Sequence, residues 1–349
     1  MNSRNSSFEL LRIIAIIFIG FLHSMGIAYR GQLSETNILL GDVINAVCNT
    51  GVSCFILISG YYGIRFKAGR FVQLCILTTL YSILVALLNL NGNIDFSFYK
   101  ALFVIPRYGN WFMACYLITM LFSSFVNTYV GNLGRLRFLK LLLISFICFS
   151  VIPIWFPSPR APIMDYGGGG KNIVYFLFVY LVGRYIRIHH DVDYNRVKTF
   201  GVFLLCSLSI IFLNSMIHQI FHRPDKIFAM DNSPFILLSS LSIFYFFKSL
   251  SFSNQIVNWV ASSVLAVFLL DGIRTYVDKF IDVASYSTDC MLIFYISLEA
   301  SSVFLFALLV DKLRILLFGK MEDVVIFKIV GFANNIWRKS ICRWNRILF

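Results

Sequence analysis

The sequence predicts an all-α protein that crosses a membrane about ten times, and three observations lead to this fold class. Hydrophobic residues make up 58% of the 349 residues and charged residues only 13%, about half the charged share of an average soluble domain. Mean hydropathy is +0.78. The apolar residues are grouped in runs of about 20, the length that a helix needs to span a bilayer. A soluble globular enzyme, a disordered chain and a fibrous protein are therefore excluded.

Ten apolar runs, each bounded by charged or turn residues, are the candidate crossings. They are 8–28, 38–62, 71–90, 110–128, 138–156, 172–187, 199–221, 234–250, 257–276 and 291–311. The first run is longer than the apolar part of a cleavable signal peptide and lacks a small-residue cleavage site, so we interpret it as a membrane helix. The internal repeats that are typical of many transporters are not visible.

Lys and Arg residues are distributed unequally between the two sides of the predicted bundle. With the N-terminus inside, 20 of the 30 fall in inner segments and nine in outer loops, while Arg12 lies within the first run. Basic residues bias the loops that carry them toward the cytoplasm. We therefore predict that both termini are cytoplasmic, and that the net charge of +13 reflects topology rather than a nucleic-acid partner.

The predicted crossings form one transmembrane domain over residues 1–314, followed by a basic cytoplasmic tail over 315–349. In this tail basic residues alternate with apolar ones, as in Arg343-Trp344-Asn345-Arg346. The pattern is typical of an amphipathic helix that lies on anionic lipid. None of the eight cysteines has the spacing of a zinc site, so we expect no bound metal.

Ionisable residues within the first run are the main candidates for chemistry. Arg12 and His23 are eleven residues apart, close to three helical turns, so both lie on one face with about 16 Å of rise between them. Glu9 precedes Arg12 by three residues and can pair with it. Because an imidazole accepts a proton near neutral pH, His23 is a candidate general base. The alternative is a hydrogen bond to a neighbouring helix.

Two carboxylates lie within later runs, and a basic segment follows the second run. Asp271 is three residues before Arg274, whereas Glu299 has no cation near it in sequence and needs a partner across the bundle or a wet cavity. The basic segment contains Arg65, Lys67 and Arg70. These cations either satisfy the topology rule or bind a phosphate-bearing ligand from the cytoplasm.

Taken together, these features resemble acyltransferase family 3, membrane proteins that acylate sugars of bacterial surface polysaccharides. The resemblance is carried by Arg12-x10-His23, Ser59-Gly60, the basic segment 65–70, Asn110-Trp111-Phe112 and Asp311-Lys312-x-Arg314. It implies a multi-pass protein of the bacterial inner membrane that transfers an acyl group, expected to be acetyl, from cytoplasmic acyl-CoA. The acceptor would be a carbohydrate hydroxyl, and no cofactor would be permanently bound.

The resemblance also implies roles for individual residues. His23 occupies the family's catalytic position, with Arg12 below it on the same face. Lys67 stands in place of the first arginine of the family's Arg-x-x-Arg pair, which weakens bidentate phosphate binding at that position. Asp271 stands near the place where many members have a histidine.

The chemistry of coenzyme A agrees with this assignment, because its anionic head needs cations and its long arm is nearly neutral. The head would be held by the cations Arg65, Lys67, Arg70 and Arg12, and Asp271 or Glu299 would orient the imidazole. The sugar would be bound by four polar or aromatic residues, Trp111, Asp42, Asn45 and Asn49. A covalent acyl-histidine is a second possible mechanism. The alternative functions are export of a glycan or lipid-linked sugar and, less in accord with the short outer loops, polysaccharide polymerisation.

Overall fold

The computed structural model describes residues 5–88, 110–156, 169–221 and 226–348, and these residues form helices and connections without a β-strand. The α-helices are α1 Ser7–Ala28, α2 Glu35–Cys48, α3 Thr50–Tyr62, α4 Ala68–Leu88, α5 Trp111–Gly131, α6 Arg135–Phe146, α7 Ile173–His189, α8 Arg196–Phe221, α9 Pro234–Lys248, α10 Gln255–Ala261, α11 Val264–Leu269, α12 Arg274–Ile281 and α13 Leu292–Leu348. A π-helical segment Ile147–Val151 and a final turn Ile152–Trp155 extend α6, and 3-10 turns lie at Ile227–Ala229, Asp271–Ile273 and Val283–Tyr286.

Eight helical segments of the described residues are long and apolar enough to cross a membrane, and a bent pair raises the number to nine. The bent pair joins Gln255–Leu269 to Asp271–Ile281 at an angle of 61°. Each of the ten predicted runs overlaps a helix or a helix pair, although α7 has only 17 residues and a length of about 26 Å. The predicted all-α polytopic membrane fold is confirmed.

Helix α3 lies in the middle of the bundle, in contact with α1, α7 and α9. It approaches α7 closely because Gly60 and Gly183 face each other. A Cβ at Gly60 would overlap the carbonyl oxygen of Tyr180, and one at Gly183 would lie 2.5 Å from the carbonyl oxygen of Leu57. Small residues allow such close backbone packing in membranes, where association depends on van der Waals contact.

The connection between α3 and α4 is held by two side chains of neighbouring helices. The backbone N–H of Ile64 donates to the Tyr180 hydroxyl at 3.1 Å, and the Asn127 amide donates to the Ile64 carbonyl at 2.8 Å. The Tyr180 hydroxyl in turn donates to Asn127 at 2.8 Å. These bonds fix the start of the basic segment, so that Arg65 and Lys67 project from a defined position at the predicted cytoplasmic end, hereafter the inner end.

Helix α13 is one unbroken helix of 57 residues, and it continues past the predicted domain boundary at residue 314. Beyond that boundary it packs along α4, where Ile326 lies next to Gly69. The buried Asp311 accepts a hydrogen bond of 2.5 Å from the Tyr81 hydroxyl and pairs with Arg314 at 2.9 Å. The position of the tail on lipid stays a prediction, and the side chains of its Arg- and Trp-rich end lie outside the described residues.

We expect Gly60→Ala to destabilise the bundle, because the added methyl group meets the α7 backbone, and overpacking costs about 1–3 kcal/mol. Thermal unfolding in detergent, followed by circular dichroism, should show a transition several degrees below that of the unmodified protein. Gly201→Ala on α8 is the matched control, since a Cβ there meets nothing within 4 Å. Equal transition temperatures for the two variants would contradict the proposed close packing of α3 and α7.

Candidate active site

The imidazole of His23 contacts the carboxylate of Asp271. His23 lies in the outer part of α1, and Asp271 begins the 3-10 turn at the break between α11 and α12; the distance from Nδ1 to Oδ2 is 2.7 Å. A carboxylate can only accept, so Nδ1 carries the proton, and Nε2 of the neutral ring is the free basic nitrogen. The His23 side chain is 46% exposed, which leaves Nε2 accessible for chemistry.

A buried ion network holds Asp271 in place. Arg274 donates to Asp271 at 2.8 Å, and it also forms an ion pair with Glu299 of α13. The Ser24 hydroxyl lies between Arg274 and Glu299. It donates to Glu299 at 2.5 Å and accepts from Arg274 at 2.7 Å. Glu299 is completely buried, and a buried carboxylate needs a cation. Arg274 is that cation, on a different helix from Glu299.

Arg274 is the site residue that sequence reasoning missed. Counting charges assigned it to an outer loop, yet its side chain is only 7% exposed. The spacing of three residues between Asp271 and Arg274 was the available signal, because such residues are neighbours on a helix. Arg274 also forms an ion pair with Glu299. This contact depends on how α12 packs against α13, and no local sequence pattern specifies that packing.

A cavity of about 330 Å³ leads from the inner end toward His23. Arg12 and Arg70 line its inner end, where Glu9 pairs with Arg12 at 3.1 Å. At its outer end the lining includes Ile19 and Phe268, which precede His23 and Asp271 by about one helical turn each. Of the two residues predicted to share one face of α1, Arg12 thus lines the inner end of this cavity, whereas His23 lies about one helical turn beyond its outer end.

The cavity walls between the cations and His23 are largely apolar and aromatic. The Phe112 ring is central, with its centroid 5.4 Å from that of Phe268 and 5.5 Å from that of Phe176. Trp111, which was predicted to bind sugar, packs edge-on against Phe112 and does not line the cavity. Within the Trp111-Phe112 motif, the phenylalanine therefore contributes to the cavity.

The three cations of the basic segment have different surroundings. All three are exposed, but Arg70 also lines the cavity, whereas Arg65 and Lys67 lie outside its lining. The structure thus separates Arg70 from the other two, although sequence alone grouped all three as candidate ligands of a phosphate.

A chain of hydrogen bonds connects Arg70 to the part of α13 beyond residue 311. Arg70 donates to Gln73 at 2.6 Å, and Gln73 donates to Glu322 at 2.9 Å. Glu322 is paired with Arg314, which also bonds to Asp311. Because Arg314 and Glu322 are largely buried, this chain restricts the orientation of Arg70 at the inner end of the cavity.

The polar stripe of α2 is packed away from the cavity. The Asn45 amide donates to the Tyr29 hydroxyl at 3.1 Å, and the Asn49 amide donates to the Asn45 carbonyl at 3.1 Å. Asp42 is 6% exposed and lies 3.5 Å from the hydroxyl of Ser215 on α8. The structure does not bring these predicted sugar-binding residues together with the residues that line the cavity below His23.

Comparison with known proteins assigns the family. A family model described as an acyltransferase domain, that of acyltransferase family 3, matches residues 5–311. The chain belongs to acyltransferase family 3. The family match covers the cavity, His23 and the ion network, while the Glu322 end of the hydrogen-bond chain lies beyond it. Residues 5–311 therefore form a membrane acyltransferase domain, and no solved structure matches the chain.

One curated protein is similar to part of the chain. NADH-ubiquinone oxidoreductase chain 5 of Nyctotherus ovalis is 24% identical over 162 residues, which is 45% of this chain and 8% of that protein. The similarity thus covers less than a tenth of the relative, and we infer no activity from it for this acyltransferase family 3 member.

The ion network should stabilise the bundle as a unit. We expect Glu299→Leu to lower the free energy of unfolding by about 3 kcal/mol, because it removes one partner of a buried Arg274. Arg274→Met should cost a similar amount, since it leaves Glu299 without its cation. The double variant should lose less than the sum of the two, by at least about 1 kcal/mol. Chemical unfolding of the four proteins in mixed micelles measures this coupling, and strictly additive losses would contradict it.

Proposed function

We propose that this protein is a membrane O-acyltransferase of the bacterial cytoplasmic membrane. It transfers an acyl group, acetyl in the simplest case, from cytoplasmic acyl-CoA to a hydroxyl of a surface glycan or of its lipid-linked precursor. The observation that carries the proposal is the cavity, which begins at Arg12 and Arg70 and ends one turn below the His23–Asp271 pair.

The shape and charge of this cavity suit an acyl-CoA. The nucleotide head is a polyanion that would bind the two guanidinium groups of Arg12 and Arg70 at the inner end, where charge-assisted bonds to phosphate are strong. The pantetheine arm is thin and nearly neutral, and it would extend between Phe112 and the other apolar walls. Arg65 and Lys67 stay in water, where they would attract the anionic donor. The nucleotide itself thus never enters lipid.

His23 would act as the general base. Its Nε2 takes the proton from the sugar hydroxyl while the oxygen attacks the thioester carbonyl, so a C–O bond forms. The C–S bond then breaks, and the imidazolium returns the proton to the departing thiolate of coenzyme A. Asp271 holds the Nδ1–H and stabilises the imidazolium while it exists. Arg274 acts on this step through Asp271, as a positioning residue.

We expect His23→Ala to abolish acylation, because no other imidazole lies at the outer end of the cavity in the described part of the chain. The protein should remain in the membrane at its normal level. His218→Ala is the matched control, since His218 is on α8 and contacts Glu35 at 3.3 Å. Mass spectrometry of surface glycan from cells that carry each variant measures the ester directly.

Two results of that experiment would contradict the proposal. Acylation that persists in His23→Ala would exclude a general base at this position. Disappearance of the whole glycan, rather than of its ester alone, in cells lacking the gene would indicate an exporter or a polymerase.

The donor end of the cavity can be tested separately. Arg70→Ala should raise the KM for acetyl-CoA at least tenfold, with little effect on the KM of the acceptor, because it removes a cation that lines the cavity. Lys67→Ala, at an exposed position outside the lining, should have a smaller effect. Gln73→Leu should give an intermediate increase, since it cuts the chain from Glu322 to Arg70. Equal donor KM values for Arg70→Ala and Lys67→Ala in proteoliposomes would contradict the phosphate role of Arg70.

A further inference from the structure

A second cavity, of about 230 Å³, lies between α1 and α13, and it is separate from the donor cavity. Its apolar walls include Ile16, Ile17 and Phe21 of α1 and Phe304 and Leu305 of α13. No residue lines both cavities. The second cavity therefore reaches the active site by a different route.

The apolar rim of this cavity is on the outer surface of the bundle. Ile17 is 36% exposed and Leu305 is 55% exposed, and both belong to helices that span the membrane. Exposed apolar side chains at these positions face hydrocarbon. The cavity is thus open sideways to the bilayer, along the groove between α1 and α13.

The floor of the cavity is polar. Asp271 and Arg274 both line it, and the Asp271 side chain remains 24% exposed even though it contacts His23. The Arg274 side chain is 7% exposed and is paired with Asp271 and Glu299. Exposing such groups to hydrocarbon alone is costly. A molecule that fits this cavity must therefore have a polar end, which contacts Asp271 and Arg274, and an apolar end, which packs against the walls.

The positions of the lining residues along α1 indicate how such a molecule would lie. Along α1 the lining runs from Phe21 and from Gly20, which lies beside the Arg274 guanidinium, back to Ile16. In the predicted topology this direction leads from the outer half of the membrane toward its centre. The hydrocarbon chain of an outer-leaflet lipid points the same way, with its polar head on the outer side.

We propose that this cavity holds the hydrocarbon chain of a lipid-linked sugar, which is the acceptor in the reaction proposed above and which enters sideways from the bilayer. The inference rests on the proposed function and narrows its acceptor to the lipid-linked precursor. The polar head lies against Asp271 and Arg274, beside Nε2 of His23, while the chain lies between Ile17 and Leu305. A long acyl chain of the donor would bring only methylene groups to the polar floor and would leave the exposed part of Asp271 facing hydrocarbon.

The test combines a binding measurement with a kinetic one on the full-length protein in liposomes. The probe is a farnesyl-linked sugar with a diazirine in its isoprenoid chain. After irradiation, we expect labelled peptides to contain Ile17, Phe304 or Leu305, and an excess of unlabelled farnesyl-linked sugar should prevent labelling. Labelling only at other positions, or protection by palmitoyl-CoA instead of by the sugar lipid, would overturn the proposal.

The kinetic measurement compares Ser301→Phe with Ser302→Phe. Ser301 is exposed and lines the cavity, so a phenyl ring there would fill it, whereas the neighbouring Ser302 does not line it. We expect Ser301→Phe to reduce kcat/KM at least tenfold more for the farnesyl-linked acceptor than for a methyl glycoside of the same sugar. Equal reductions for both acceptors, or the same selective loss in Ser302→Phe, would overturn the proposal.

The two proposals fail in different ways. If the unmodified protein acylates neither acceptor but the probe still labels Ile17 or Leu305, the proposed reaction is wrong and the lipid site stands. If the protein acylates the methyl glycoside but the probe labels neither wall, the reaction stands and the lipid site is wrong.

Discussion

The organisation of the candidate active site depends on one buried charge network, in which Arg274 bridges Asp271 and Glu299. Ions at this depth are costly unless each is paired and hydrogen-bonded. Here the guanidinium binds both carboxylates, and the Ser24 hydroxyl bonds to Arg274 and Glu299. The network joins the α11–α12 break to α1 and α13, and so it determines where the His23 ring lies.

The break in the helix is what makes this network possible. In a continuous helix through residues 264–281, all backbone groups would bond within the helix, and Asp271 would lie in the middle of a straight segment. The 61° bend instead presents the 3-10 turn at Asp271–Ile273 to α1. Broken helices are tolerated at membrane depth where they are covered by protein or line a cavity. In this protein the break lies beside both cavities, and one oxygen of Asp271 contacts His23 while the other contacts Arg274.

Much of this arrangement could be predicted from local patterns. The apolar runs predicted the fold, and the spacing of Arg12 and His23 predicted their common face, because both patterns repeat within one helix. The stripe of Asp42, Asn45 and Asn49 also has the predicted helical spacing. Its face, however, packs toward α8 and Tyr29, and the pattern carries no information about which neighbour a polar face meets.

Contacts between distant segments could not be predicted in this way. Asp271 is 248 residues from His23, and Glu299 is 275 residues from Ser24. Sequence reasoning left open whether Asp271 or Glu299 orients the imidazole, and the structure shows that Asp271 makes the direct contact. The hydrogen-bond link from Glu322 to Arg70 at the inner end of the cavity was equally hidden, because it requires α13 to continue along α4.

The proposed mechanism requires that an acyl donor held by Arg12 and Arg70 reaches the imidazole of His23, which lies about one helical turn beyond the outer end of the cavity. Its most direct test is an experimental structure of the protein in lipid nanodiscs with a thioether analogue of acetyl-CoA that cannot transfer its acyl group. We expect phosphate groups at Arg12 and Arg70, and the analogue's sulfur within about 5 Å of His23 Nε2, a distance that allows proton transfer directly or through one water. An analogue bound with its phosphates at Arg12 and Arg70 but its sulfur remote from His23, or bound outside this cavity altogether, would contradict this mechanism.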